Sequence, residues 1–199
     1  MTDIATLDTP TLGLMLDCET LSLDARALVT QIALYPFDME TEELIHDALH
    51  IFLPIQPQLD IIPARKISAE TFVWWMQQND DARQIFDHNI GDDFEELPIL
   101  MRQLIRRFDK LTDKRNYELI CRGPQADEVW VRTLLEDCGL RAPWRYDKVV
   151  DLRTLMRYAG LHTADIPEPQ GFIPHRADWD CKYQIAQYLE AKRRLRSRV

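Results

Sequence analysis

The sequence predicts an α/β domain with a central mixed five-stranded sheet flanked by helices. Three observations point there. Three strand-type apolar runs follow one another near the N-terminus with short connections between them. Beyond residue 110, strand-type runs alternate with segments of helical period. Neither an internal repeat nor a linker interrupts the 199 residues, so one domain over 1–199 is expected, with its core at about 11–190 and a basic helix end at 191–199.

The elements follow in order. Residues 11–16 are an apolar run of strand type ending at Asp17. Residues 27–37 make a second, carrying Val29, Ile32, Leu34 and Tyr35, and residues 46–53 a third after the acidic turn at 38–43. Short connections make these three an antiparallel meander. Pro54, Pro57 and Pro63 then punctuate a loop. Ser68 has the character of an N-cap for a helix through Phe72, Trp75 and Met76, and Asp80 and Asp81 can restart a helical turn. Across 94–111, Leu97, Leu100, Leu104, Phe108 and Leu111 fall on one helical stripe. A fourth strand at 117–121 precedes a helix at 126–138, which Gly139 can close. A brief fifth strand at 149–150 feeds a helix over 152–158, and residues 175–196 form a terminal helix.

Composition narrows the function classes. With 46% hydrophobic and 29% charged residues, the chain reads as an ordinary globular protein. No apolar run approaches the ~20 residues that cross a bilayer. The first ten residues lack a basic cluster ahead of an apolar stretch and so do not make a secretory signal, which leaves a cytosolic location as the expectation. Cys18, Cys121, Cys138 and Cys181 are widely spaced, with no Cys-x-x-Cys pair, which fits reduced thiols better than zinc. A net charge of −9 argues at first sight against a nucleic-acid partner. Its distribution argues otherwise: residues 1–100 carry 4 basic against 19 acidic residues, and 101–199 carry 20 against 14. Two basic clusters stand out, one running from Arg102 to Arg115 and one from Lys192 to Arg198. They permit phosphate binding, although a charge run on a helix is equally a solvated face.

Three groups of residues can carry chemistry. Asp17-Cys18-Glu19-Thr20 follows the first apolar run, and in a strand residues i and i+2 share a face, so the two carboxylates converge. Converging like charges are costly unless a cation neutralises them, and a hard, oxygen-seeking ion such as Mg²⁺ or Mn²⁺ suits them. Asp38-Met39-Glu40-Thr41 repeats the pattern and Asp93-Phe94-Glu95 begins like it. The former reads as a solvated turn and the latter as an acidic helix start. Asp127 stands at a strand-to-helix turn after Arg122-Gly123-Pro124-Gln125, where ligands gather in open α/β sheets and where a carboxylate can also simply satisfy helix amides. His175 precedes the last helix, with Asp180 five residues on, which sets a base that titrates near neutrality beside a carboxylate. His46, His50, His88 and His162 read as solvated or core residues. Trp74 and Trp75 can stack on a base, while at helical spacing one of them belongs in the core.

Asp-x-Glu-Thr, Gly-Pro-x-x-Asp and His-x-x-x-x-Asp, in that order, resemble the DEDD exonuclease superfamily of the ribonuclease H-like fold, in the branch with a histidine in the last motif. Phe72-Val73-Trp74-Trp75 followed by Asp81-Ala82-Arg83, and Pro143-Trp144-Arg145-Tyr146 followed by Asp151-Leu152-Arg153-Thr154-Leu155, resemble the ribonuclease T-like 3′ exoribonucleases of phages and bacteria. The resemblance spans about 12–188. It implies a 3′→5′ exonuclease in which Asp17, Glu19 and Asp180 hold two Mg²⁺ or Mn²⁺ ions, with Asp127 on the second ion directly or through water. It further implies His175 as general base, Thr20, Leu21 and Ser22 against the terminal nucleotide, Trp74 and Trp75 in substrate binding, an RNA or DNA 3′ end as partner, and a homodimer. Arg122 stands where members often have Asn, and Ala126 where they often have Phe, departures that bear on the pocket beside Asp127. Asp178 is out of register with the last motif and stays outside the set. The rival expectations are a non-catalytic binding module on the same fold and a phosphodiesterase for dinucleotides or other small molecules.

Overall fold

The computed structural model describes residues 10–88 and 96–198. Its sheet is organised around β1 (Leu12–Thr20), all nine residues of which are buried. On one side β1 pairs antiparallel with β2 (Val29–Asp38), which pairs antiparallel with β3 (Leu49–Phe52). On the other side it pairs parallel with β4 (Tyr117–Cys121), which pairs parallel with β5 (Val149–Asp151). The order β3-β2-β1-β4-β5, with helices on both faces, is the ribonuclease H-like architecture that the sequence predicts.

Side-chain alternation along β1 sorts the two cores. Leu12, Leu14, Leu16 and Cys18 pack under α4 (Leu97–Thr112) and α5 (Asp127–Asp137). Met15 joins Ala33, Phe37 and Ile120 beneath α6 (Leu152–Ala159) and α7 (Ala177–Arg196). Asp17 and Glu19 continue the Met15 face, so they point toward α7. Gly13 on that face lies under the Phe37 ring, where a Cβ would fall 2.1 Å from a ring carbon. Phe37 in turn meets Tyr188 of α7 edge-on at 5.5 Å, so the missing side chain is what lets β1 and α7 share one layer of rings.

Several boundaries differ from expectation. β1 runs on past Leu16, because Asp17 and Glu19 pair with Ala33 and Gln31 of β2, so both acids lie inside a strand rather than after it. β3 is shorter than the run 46–53. The proline-rich stretch contains a short helix, α1 (Ile55–Asp60), instead of plain loop. Pro57 falls in its first turn, where the absent N–H would have no helical partner anyway. The fully buried Gln58 ties α1 down, donating to the carbonyls of Val29 (2.8 Å) and Pro54 (2.9 Å) and accepting from the Val29 N–H (3.0 Å).

α2 (Ala69–Met76) begins as expected, with Ser68 accepting the Thr71 N–H. α3 (Asp80–Arg83), capped by Asn79, runs into a 3-10 turn at Gln84–His88. Together they cover a third core of Leu21, Leu28, Trp75, Ala82 and Ile85. The α4 stripe of Leu97, Leu100, Leu104, Phe108 and Leu111 is buried, while the acidic start expected at Asp93 lies outside the described residues. Gly139 follows α5 with φ +71°, the left-handed closure its position predicts. Arg65 is buried against the end of α5, meeting Asp137 at 2.7 Å and the carbonyls of Ala27 and Trp130 at 2.7 and 3.2 Å. The four cysteines are unpaired, and no described helix is long and apolar enough to cross a membrane.

Candidate active site

The four acids that the sequence singles out come from three elements of the chain and meet where β1 faces α7. Asp17 and Glu19 arrive on one face of that strand, Asp127 opens α5 just beyond β4, and Asp180 sits in the first turns of α7. Asp17, Glu19 and Asp127 keep 8%, 9% and 7% of their surface exposed. Burial, reinforced by the charges of Asp127, Asp180 and Glu19, holds the Asp17 carboxyl well above the usual carboxylate range. Glu19 is raised in the same way, by burial and then by Asp180 and Asp127. Burial pushes Asp127 up to about 7 against the pull of backbone amides that include Cys18 N–H, and Asp180 up to about 6. Four neighbouring acids held toward neutrality, all by burial and Asp17 and Glu19 also by the charges of the others, make a site complementary to positive charge.

His175 completes the group. Its φ of +63° is left-handed, uncommon for a residue with a side chain and characteristic of functional sites. That turn lets its N–H donate to Asp180 Oδ2 at 2.9 Å. Ligand atoms of Glu19, His175 and Asp180 lie within 4.8 Å of one another, a donor set able to hold a metal ion. The half-buried ring is held below the ordinary histidine value by desolvation alone, so it stays neutral and able to accept a proton. Trp74 stands edge-on to it at 4.7 Å and Trp75 at 6.2 Å. Gln184, one helical turn after Asp180, donates to Asp17 Oδ1 at 2.7 Å.

Beside the acids opens a cleft of about 660 Å³ whose walls include Glu19, Thr20, Ser22, Leu23, Trp74 and Trp75. The two tryptophans divide as their spacing predicts. Trp75 is fully buried and donates through Nε1 to the Thr20 carbonyl at 2.9 Å, whereas Trp74 is 40% exposed. Leu21 turns into the third core and does not reach the cleft wall, where Ser22 and Leu23 stand instead. Asp178 is buried against Arg176 at 3.2 Å and shares no interaction with the acid group beyond raising Asp180, in keeping with its place outside the set.

Three neighbours were not singled out as functional from the sequence. Gln184 looks like one more polar residue on a long helix. Arg153 and Arg157 look like a solvated face of α6, yet the Arg153 charge bears on Asp127 as the Arg122 charge bears on Asp180. The two basic clusters that do stand out in sequence are engaged elsewhere in part: Arg107 and Lys110 meet Asp47, while Arg193 and Arg194 meet Glu42, Asp165 and Glu190.

Among solved structures, the nuclease domain of 3′hExo, described as a DEDDh family member bound to rAMP, matches with a TM-score of 0.57 at 15% identity, over 94% of this chain and 93% of that one. Apo exonuclease I matches with a TM-score of 0.64 at 15% identity, over 95% of this chain and 43% of that one. E. coli exonuclease I in complex with a dA16 oligonucleotide matches with a TM-score of 0.62 at 15% identity, over 94% and 42%. The chain therefore spans less than half the length of those exonuclease I proteins, and at such identities the likeness establishes the fold. No curated protein matches the chain in sequence. The profile of the family described as the 3′-5′ exoribonuclease Rv2179c-like domain matches residues 13–191, a different assignment within the superfamily from the ribonuclease T-like branch. The chain, with its buried acids and its histidine on a ribonuclease H-like sheet, belongs to the Rv2179c-like 3′-5′ exoribonuclease domain family.

Proposed function

We propose that the chain is a metal-dependent 3′→5′ exonuclease that releases nucleoside 5′-monophosphates from the 3′ end of RNA or DNA. The observation that carries this is the convergence of the buried Asp17, Glu19 and Asp127 with the half-buried Asp180, all four with raised carboxyls, and with His175 against Glu19 and Asp180. Membership of an exoribonuclease family supports it and favours RNA. Kinship with the ribonuclease T-like branch rests on the words around Trp74-Trp75 and Pro143-Trp144 and is part of the same proposal.

Hydrolysis of a phosphodiester adds negative charge to a group that is already anionic. The four acids fit two Mg²⁺ or Mn²⁺ ions, with Asp17, Glu19 and Asp180 as principal ligands and Asp127 on the second ion; bound there, the ions neutralise that charge and polarise the reacting oxygens. His175, kept neutral by its surroundings, accepts the proton of the attacking water. Its N–H on Asp180 fixes where that base stands. Gln184 holds Asp17 in one orientation. Thr20 and Trp74 line the space for the terminal nucleoside, with Trp74 offering a face to the base, while Trp75 and Leu21 support that wall from the core. An exonuclease grips only the last nucleotides of a strand, which reconciles the partner with a net charge of −9. A cytosolic setting, supported by four free thiols, and a homodimer, supported by the exposed Phe72, Val73 and Met76 of α2, belong to this proposal.

The test is incubation with 5′-labelled RNA, 5′-labelled DNA and a dinucleotide, in Mg²⁺, Mn²⁺ or EDTA. A cation-dependent ladder of products shortened one nucleotide at a time is expected. An intact strand under every condition, or cleavage of the dinucleotide alone, would overturn the proposal.

A further inference from the structure

A second cavity, of about 390 Å³, shares no lining residue with the Trp74 cleft. Arg122, Arg153, Arg157, His162 and Thr163 supply its polar walls, Met156 and Leu161 belong to its lining, and no carboxylate does. Arg122 is half-buried and its Nη2 donates to Thr163 Oγ1 at 2.6 Å, which fixes the guanidinium at the cavity wall. Arg153 and Arg157 are one turn apart on α6, hence on one face. The Arg153 guanidinium lies against Gly123, where a Cβ would stand 3.4 Å from Nη1, in ordinary contact.

Among the described residues, none of these three arginines forms an ion pair, whereas Arg65, Arg132, Arg176 and Arg194 all meet carboxylates. Three unneutralised guanidinium groups around one cavity suit an anion, and their planar forks match the oxygens of a phosphate. The cavity is also continuous in charge with the acids, since Arg122 acts on Asp180 and Arg153 on Asp127.

We propose that Arg122, Arg153 and Arg157 form a subsite for the phosphate on the 5′ side of the nucleotide that precedes the scissile bond. The inference rests on the nuclease function proposed above. If the scissile phosphate is at the acids and the terminal nucleoside in the Trp74 cleft, whose lining is apolar, hydroxyl-bearing or acidic and holds no basic residue, then the next phosphate along the strand is the anion left for the arginines. That phosphate is an internal diester in a longer strand and a terminal monoester in a 5′-phosphorylated dinucleotide. Arg153 and Arg157 are exposed, so a strand can continue past them, and the internal diester is the ligand to which the site commits.

The experiment compares kcat/KM for three substrates: a dinucleotide with a 5′-hydroxyl, the same dinucleotide with a 5′-phosphate, and a trinucleotide with a 5′-hydroxyl. Wild-type protein is expected to prefer each of the last two over the first by about tenfold or more. In R153Q/R157Q both preferences should fall to about one, and the log–log salt dependence of kcat/KM on the trinucleotide should flatten by no more than about 0.7, the slope for one phosphate contact on a single strand. A matching far-UV spectrum and melting temperature will show that the variant is folded. Preferences in the variant equal to those of wild type, or their absence in wild type, would overturn the subsite while leaving the nuclease in place. A 5′-phosphorylated dinucleotide favoured over the trinucleotide by more than tenfold would overturn the internal diester as its ligand. Hydrolysis of none of the three by wild type would overturn the nuclease function itself.

Discussion

Replacing Asp127 by asparagine should stabilise the metal-free protein at pH 8 and hardly affect it in acid. Asp127 is 7% exposed, and burial holds its carboxyl at about 7 against an ordinary 3.8. A folded-state value raised in this way means that the fold tolerates the protonated acid and resists the ionised one. The group's contribution to stability is therefore fully present below about pH 4 and is lost as pH rises through 7. Three units at about 1.4 kcal/mol each put the loss on the order of 4 kcal/mol. Asparagine keeps the shape and an acceptor oxygen for the Cys18 amide without the charge, so a gain of roughly 2–4 kcal/mol is expected at pH 8 and about 1 kcal/mol or less at pH 4.5. For a chain of this length, that corresponds to about 4–15 °C in Tm at pH 8. Thermal melts in EDTA at the two pH values, followed by far-UV circular dichroism, will measure it. If Asp127 acted only as a carboxylate satisfying amides at the start of α5, asparagine would serve about equally well and the variant would show no gain in stability at pH 8. That result would refute the reasoning.

Two further predictions concern the base and the frame. His175→Ala should lower turnover by ~10²–10⁴-fold, the range for losing an acid–base group, and should remove an acid limb of the pH–rate profile lying below the ordinary histidine value; turnover within threefold of wild type would exclude the ring as base. Asp137→Ala should cost about 3–5 kcal/mol in urea unfolding, because it strands the buried Arg65 guanidinium without its carboxylate, while Asp147→Ala, which breaks an exposed, solvent-screened pair with Arg145, should leave the urea midpoint nearly unchanged. Equal losses would show that burial of Arg65 is not what gives that pair its weight.

The sheet was legible because its strands are short segments rich in apolar and β-branched residues between turn signals, and the convergence of Asp17 and Glu19 follows from strand geometry whatever surrounds them. The length of β1 was not legible: acids normally end an apolar run, and only their pairing with β2 shows that the strand continues through them. α1 was hidden by its proline and declared by Gln58, whose buried bonds to another element have no local signature. Within the site, Asp127, His175 and Asp180 were legible as an ordered motif rather than from their own spacing. Gln184, Arg153 and Arg157 were not, because a polar residue on a helix face looks solvated until its partner across space is known.

Calorimetric titration with Mn²⁺ tests the meeting of the four acids most directly. Ligands must be deprotonated to bind, and Asp127 and Asp180 hold protons up to about 7 and about 6, so binding at pH 6.5 should release protons, seen as a heat that varies with the ionisation enthalpy of the buffer. Two ions per chain are expected, with binding abolished or weakened at least tenfold in both Asp17→Asn and Asp180→Asn. Absence of Mn²⁺ binding to the folded wild-type protein, or binding that both substitutions leave unchanged, would contradict the shared cation site.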